Sequence, residues 1–513
     1  MRTPALFVAS LFILSNLIAQ DDCSTALPIL EGTYAVTAVN GTAASPTCLG
    51  MPGGASAGEW YTYMPTQDGT LTVTTDLPGN VGGDTRFHVY TGTCGSLVCV
   101  SGDDDNGSGY LSIATFNVNS GVTYTIAFDN YWSSAGFTFE LIEGTPGAGG
   151  ISFSPQVVIS NSPMGVVDMN GDHLDDLVTP GTNFIVIGHQ QSGGGFVPTS
   201  IPTTPADHPA SWSMTAGDID GNGYNDLMYG AGSGVTFMFA GPGGTSFTEL
   251  SFPQYVFSQR GNMIDINNDG HLDAFMCHDV APNVYYLNDG LGNLTYYQGG
   301  FGTTGGNYGS IWIDFDNDHD MDCFVAKCGG DPIDILLRNN GDGTFTNIAT
   351  PLDFADTHQS WSSAWGDFDN DGDMDVMVGS SSSSFHKLMR NDGTGFTNVT
   401  AGSGLDVFSG QSIEWTTHDF NNDGFLDILG GGGFLLGNGD LTFTAVTIGP
   451  TNGPIGDLNN DGFLDILNGG TGYMNDGNNN HWIKINTIGT ASNLNGIGAR
   501  VQVTSALGTQ IRD

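Results

Sequence analysis

The sequence predicts an all-β chain: an N-terminal antiparallel β-sandwich, then a seven-bladed β-propeller, then the start of a small C-terminal β domain. Three observations point there. Of 54 acidic residues only six are Glu, leaving 48 Asp, which stand beside 78 Gly and three Lys. Glu and Lys are the usual fillers of exposed helix faces, whereas Asp and Gly favour turns, so extensive helix is excluded. Residues 21–143 contain runs that alternate apolar and polar at period two, and a nine-residue acidic motif recurs seven times between residues 168 and 465.

With 513 residues the chain exceeds one ordinary domain. Ten Lys and Arg against 54 acids give a formal charge of −44. That balance removes nucleic acid and anionic membrane surfaces as partners, because both need a basic footprint. Yet only 12% of residues are charged and 39% are hydrophobic, so the chain can build cores. Residues 1–20 read as a signal peptide: one Arg, a short apolar stretch, and Ala19 before Gln20. That stretch is short for a bilayer and no long apolar run follows, so a secreted or cell-surface protein with no membrane span is expected.

In the stretch VTYTIAF, Val122, Tyr124, Ile126 and Phe128 face one side while Thr123, Thr125 and Ala127 face the other. Such runs between Gly, Asn and Asp clusters indicate the sandwich over 21–143. The stretch GTPGAGG, residues 144–150, reads as a linker to a propeller over 151–477. Cys23, Cys48, Cys94 and Cys99 favour sequential pairing in an exported protein, although four Cys allow three connectivities. For Cys277, Cys323 and Cys328, a local 323–328 bridge and buried free thiols both remain open.

The seven motifs start 50, 47, 49, 53, 52 and 38 residues apart, a period that suits propeller blades. Position one is Asp168, Asp218, Asp265, Asp314, Asp367, Asp419 and Asp457. Position three is Asn170, Asp220, Asn267, Asp316, Asp369, Asn421 and Asn459. Position five is Asp172, Asn222, Asp269, Asp318, Asp371, Asp423 and Asp461. Position nine is Asp176, Asp226, Asp273, Asp322, Asp375, Asp427 and Asp465. Each motif precedes a strand-like apolar run, and a Gly/Asn turn such as RNNGDGTF (338–345) usually comes later.

Alternate positions on a tight loop turn the same way, so the side-chain oxygens of these residues converge. Hard oxygen ligands on a flexible loop suit Ca²⁺, which takes six to eight oxygens at about 2.3–2.6 Å, better than Mg²⁺ with its strict octahedron. Zinc and copper want His or Cys, absent from these positions. An EF-hand needs Glu at position twelve, and that position holds Thr179, Tyr229, Met276, Val325, Val378, Gly430 and Asn468. Up to seven Ca²⁺ are therefore expected, moving the net charge from −44 to −30. Two carboxylates about 4 Å apart repel by roughly 4 kcal/mol at an effective dielectric of 20, so empty loops are strained. His173 and His319 replace the loop Gly in the first and fourth copies.

These loops resemble the FG-GAP/VCBS repeats of integrin α-subunit propellers and of many secreted bacterial proteins. The stretches WGDFDNDGDMDVMVG (365–379) and LMRNDGTGFTNVTAGSGL (388–405) are similar to repeats of cartilage-acidic-protein relatives, which usually precede an ASPIC/UnbV domain. HWIKINTIGTASNLNGIGARVQV (481–503) resembles the start of that domain, with Asn493, Gly496, Gly498, Ala499 and Arg500 on its pattern; 478–513 would be a partial copy. The resemblance implies a Ca²⁺-binding extracellular propeller for adhesion or interaction with a protein or glycan, without a settled enzymatic activity, and no enzyme is expected. FHVYTGTCGSLVCVSGDDD (87–105) loosely resembles β-sandwich modules of secreted bacterial proteins, and its Asp103, Asp104 and Asp105 read as a solvated turn before a cation site.

Catalytic signatures are weak. GASAG (54–58) matches G-x-S-x-G and GFGTTG (300–305) matches G-x-G-x-x-G, but neither has the helix or βαβ context its chemistry needs. A secreted polysaccharide lyase or hydrolase on a propeller scaffold is the alternative reading, since fold alone does not fix function. Trp212, Trp312, Trp361, Trp365 and Trp415 precede the loops and are expected to pack between blades rather than form a sugar platform.

Overall fold

The computed structural model describes residues 21–48, 51–65, 69–118, 121–144, 151–158, 162–357, 359–380, 386–478, 480–505 and 508–512. The expected signal peptide (1–20) and residues 145–150 of the expected linker lie outside them. The chain divides into two compact units, Met1–Gly150 and Ile151–Asp513. No helix among the described residues is long and apolar enough to cross a membrane.

Among the described residues the first unit has two sheets. One runs Leu27–Pro28, Gly58–Tyr63, Tyr124–Asp129, Arg86–Thr93, Ser96–Asp103; the other runs Gly32–Ala38, Ala135–Gly144, Gly69–Thr74, Ile113–Val118. Tyr61, Phe87, Ile126 and Phe128 of the first share one core with Val36, Leu71, Phe139 and Leu141 of the second. The opposite face of Tyr124–Asp129 is buried too: Ala127 packs with Ala44, Cys48, Trp60 and Tyr90.

Disulfides account for part of that cover and correct the expected pairing. Cys23 joins Cys94 and Cys48 joins Cys99, with Cα separations of 5.6 and 5.5 Å. Cys94 sits in the turn between Arg86–Thr93 and Ser96–Asp103, while Cys99 lies along the second strand opposite Tyr90. The two therefore point to different places, and each pins an early segment to the hairpin. Cys277, Cys323 and Cys328 are buried free thiols, so the 323–328 bridge does not form.

Among the described residues the second unit holds seven four-stranded antiparallel sheets. Six use four consecutive strands; the first is Gly165–Val167, Asp176–Pro180, Phe184–Gln190 and Phe196–Pro202. The others begin at Ser213–Gly217, Ser258–Ile264, Asn307–Ile313, Ser360–Gly366 and Thr416–His418. The seventh combines Ile455–Gly456, Asp465–Asn468 and Thr471–Asn475 with Phe153–Val157 from the start of the unit. One of its edge strands thus comes from the other end of the unit.

An apolar cluster fills each gap between successive sheets. A further one joins Leu458, Leu467 and Met474 of the seventh sheet to Leu177 and Val186 of the first. Sheet-to-sheet packing therefore runs in a closed cycle. Trp312, Trp365 and Trp415 lie in these clusters, as expected. Trp361 instead stacks on Tyr308, and Trp212 is 58% exposed beside Phe257.

Polar groups seal the same first-to-seventh seam. Buried Gln190 donates from Nε2 to the Asp457 carbonyl (2.8 Å) and accepts from the Asp175 amide (3.0 Å), while Asp175 accepts from the Asp457 amide (2.8 Å). Gln190→Leu keeps the bulk and orphans a carbonyl and an amide. It should cost about 1–3 kcal/mol in urea unfolding, and an unchanged midpoint would show that the seam contributes nothing.

Candidate metal-binding loops

Each acidic motif links the first and second strands of its sheet, and the same hydrogen bonds recur. The position-one carboxylate accepts from the amides of positions five and six, as Asp218 does from Asn222 (2.9 Å) and Gly223 (2.8 Å), and Asp457 from Asp461 (2.9 Å) and Gly462 (3.0 Å). To wrap round that carboxylate the chain turns left-handed at positions four and six. Asn268, Asn317, Asn370, Asn422 and Asn460 hold φ of 53–63° at position four, where Asn tolerates what bulkier residues resist. His173 and His319 take φ of 67° and 72° at position six, so two copies accept strain where the others use Gly.

Position nine opens the second strand. All seven of its aspartates are at most 1% exposed. One oxygen accepts the amide of position two and the other an amide at the end of the third strand. Asp375, for example, accepts from Phe368 (3.1 Å) and Asn391 (2.8 Å), and Asp465 from Leu458 (2.8 Å) and Asn475 (2.7 Å). Position nine is therefore a structural bracket as well as a candidate ligand.

The sequence reading missed the residue answering that bracket. Asn288, Asn391 and Asn475 end third strands and donate from Nδ2 to the position-two carbonyl of the preceding loop, Ile219, Phe315 and Phe420, at 2.5–2.7 Å. Asn339 reaches only its own Met321 carbonyl (3.3 Å). The signal is present as Asn before a Gly turn in RNDG and MNDG, where it reads as turn chemistry alone.

Carboxylate oxygens gather within 4.8 Å of one another in three loops: Asp218, Asp220 and Asp226; Asp314, Asp316 and Asp322; Asp367, Asp369 and Asp371. In the second loop position five is an amide, Asn222; in the fourth Asp318 is exposed and outside the group; in the fifth Asp375 lies outside it. The other four loops bring together fewer acids because position three is Asn. There Asn170, Asn267, Asn421 and Asn459 donate to the position-five carboxylates of Asp172, Asp269, Asp423 and Asp461 at 2.8–3.2 Å.

The electrostatics match a site built around positive charge. Burial, with neighbouring carboxylates adding, pushes Asp226, Asp273 and Asp465 up to about 7 and Asp322 and Asp375 up to about 8, against backbone hydrogen bonds that pull the other way. Asp427 is raised well above the carboxylate range for the same reasons. Burial and Asp423 bring Asp419 to about 6; burial, Asp371 and Asp369 do the same for Asp367. One oxygen of Asp316 is buried without a hydrogen-bond partner. An all-oxygen, multiply anionic set with an unsatisfied oxygen fits a hard divalent cation.

A fourth acidic group, Asp84, Asp104 and Asp105, lies in the first unit. Asp103 takes no part: it is buried and accepts from the amides of Asn106 (3.0 Å) and Ile113 (2.9 Å). Asp84 joins instead, from a stretch that bridges to Tyr110.

Residues 168–229, 265–325 and 314–378 match the FG-GAP-like repeat family. No curated protein matches the sequence. Among solved structures, the chain is similar to an Agrocybe aegerita lectin that recognises non-reducing terminal N-acetylglucosamine, at 14% identity and TM-score 0.40, covering 78% of this chain and 94% of that one. It is also similar to a protein from Lactobacillus plantarum at 10% identity and TM-score 0.36, covering 71% and 96%. A third is the major Malassezia sympodialis allergen Mala s 1, at 8% and 0.32, covering 56% and 90%. The chain thus carries FG-GAP-like repeats within an all-β framework of four-stranded sheets.

Proposed function

We propose that this is a secreted or cell-surface calcium-binding protein that engages an extracellular protein or glycan and has no catalytic role. In this reading residues 21–143 form a β-sandwich and 151–477 a seven-bladed propeller whose loops hold up to seven Ca²⁺. Residues 478–513 begin an ASPIC/UnbV-like domain. The observation that carries the proposal is the recurrence of one hydrogen-bonded loop geometry around a carboxylate set, seven times in one register.

The bound cations would offset the repulsion among buried carboxylates and hold each loop against its sheet. A ligand at a hundred times its Kd stabilises by about 2.7 kcal/mol per independent site. The fourth and fifth loops, with Asp at all four positions, should bind tightest. A rigid ring of sheets then presents its connecting segments to the partner, with affinity set by the shape of fixed loops.

EDTA should lower the melting temperature markedly, and Ca²⁺ should restore it better than Mg²⁺; an identical melting curve in all three conditions would sink the calcium reading. Asp369→Asn is a sharper probe, because the bond Asp369 accepts from the Asp371 amide is long (3.3 Å). Calorimetry should show the fifth site weakened at least about tenfold, roughly 1.4 kcal/mol, with stability in EDTA unchanged or slightly raised.

The raised carboxyls also give a pH signature. Folded-state values of about 7 to 8 lie above the ordinary value of 3.8. The metal-free fold therefore binds more protons than the unfolded chain between those limits, and its stability falls as pH rises through that window. Ca²⁺ must displace the same protons, so its affinity should climb as pH rises. Melting in EDTA at mildly acidic and mildly alkaline pH checks the first claim, and a flat profile would contradict it.

A further inference from the structure

Residues 480–505 and 508–512 lie within the second unit and run across the acidic loops. Asn480 donates to the Asn421 carbonyl of the sixth loop (3.0 Å), and Trp482 covers Gly462 of the seventh so closely that a Cβ there would clash. Lys484 donates to the His173 carbonyl of the first loop (2.9 Å). Asn495 accepts from the Asp218 amide of the second (2.8 Å), and the Ala491 carbonyl abuts Gly270 of the third. Arg500 donates to the Asp314 carbonyl of the fourth (2.6 Å), and Ile511 abuts Gly372 of the fifth. One segment therefore touches all seven loops.

Its charges are placed to match. Three of the ten cations of the chain, Lys484, Arg500 and Arg512, lie in this segment. Arg500 meets the fourth loop and Arg512 interacts electrostatically with Asp419, Asp367 and Asp427 of the sixth and fifth. The fourth and fifth loops are the two with four aspartates at the assigned positions. Ile497 packs on the clusters between the second, third and fourth sheets, and with Gly498 it lines a cavity of about 420 Å³.

The anchors are mostly backbone groups at positions one, three and six rather than the side-chain oxygens assigned to cations. The two sets of contacts are therefore compatible, although Arg500 comes to 3.8 Å from an Asp314 oxygen and Arg512 lies in the field of Asp419, Asp367 and Asp427. Charge is compatible as well: seven divalent ions against 23 loop carboxylates leave nine negative charges for the three cations of the segment. What the segment needs is each loop held in its left-handed turn, and mutual repulsion of uncompensated carboxylates opposes that.

We propose that the described residues between 480 and 512 are an intramolecular strap that docks on the loop face when cations order the loops, so that cation binding and strap docking reinforce each other. Loss of cations would release the strap and uncover both the loop face and one wall of the cavity. The inference rests on the calcium reading.

Hydrogen exchange of the full chain, with Ca²⁺ and with EGTA, tests it alongside calorimetric titration with CaCl₂. Strap peptides should exchange at least about tenfold more slowly in Ca²⁺, with peptides of residues 21–143 unchanged. The double variant Arg500→Gln, Arg512→Gln should lose strap protection in saturating Ca²⁺ and bind Ca²⁺ several-fold more weakly. Strap protection that is equal in both conditions while calorimetry registers Ca²⁺ overturns the strap and leaves the calcium reading standing. No calorimetric binding at all removes both. If chelation unfolds the whole unit, the double variant in Ca²⁺ decides, and a strap still protected there overturns the inference.

Discussion

Each of the seven sheets is organised round a carboxylate that has left water. Its two oxygens take one amide from the start of the acidic loop and one from the end of the third strand, so a single side chain ties three segments together. Burying a carboxylate is costly, and two neutral donors offset only part of that cost. The remainder appears as carboxyls held well above their usual range. That tension would give a divalent cation its leverage. It also accounts for the dominance of Asp over Glu: an extra methylene would carry the carboxylate past amides that lie two residues into a tight loop.

The bracket has consequences for the ring. Because position nine fixes the end of the third strand, the residue there is held facing the preceding loop, and Asn at that point can donate to its position-two carbonyl. Sheet stacking is thereby specified by polar pairs as well as by apolar clusters, which on their own tolerate sliding. The first and seventh sheets have a different solution, Gln190 with Asp175, at the seam where the chain meets its own beginning. A repeat array that closes on itself needs no capping module, since no sheet is left with an uncovered apolar face.

Legibility in the sequence follows the locality of the interactions. The loops were readable because their oxygen-bearing positions lie within nine residues and recur in register. The left-handed turns at positions four and six emerge only from the structure, although Asn and Gly stand there in the sequence. Contacts made across the fold were not. Nothing local marks Phe153–Val157 as the fourth strand of the last sheet, or Asp84 as the partner of Asp104 and Asp105. The disulfides went the same way: adjacency in sequence suggested Cys94 with Cys99, whereas the hairpin points them apart. Trp212 precedes its loop like the other tryptophans, yet it emerges 58% exposed, because its neighbours at that point are Phe257 and glycine rather than a facing sheet core.

Electrostatics then constrain what such a surface can meet. Even with every proposed site filled the chain keeps a net charge near −30, and at physiological salt that field reaches about 8 Å from the surface. Polyanions such as nucleic acids or sulfated glycans are repelled before contact. Neutral glycans approach freely, and basic protein patches are drawn in with faster association. A segment lying over the acidic loops uses part of their residual attraction internally, through Lys484, Arg500 and Arg512. A partner that read those loops would have to compete with cations already tethered to the same chain, at an effective concentration that no free ligand readily matches. Recognition is then easier on surfaces the chain does not already cover with itself.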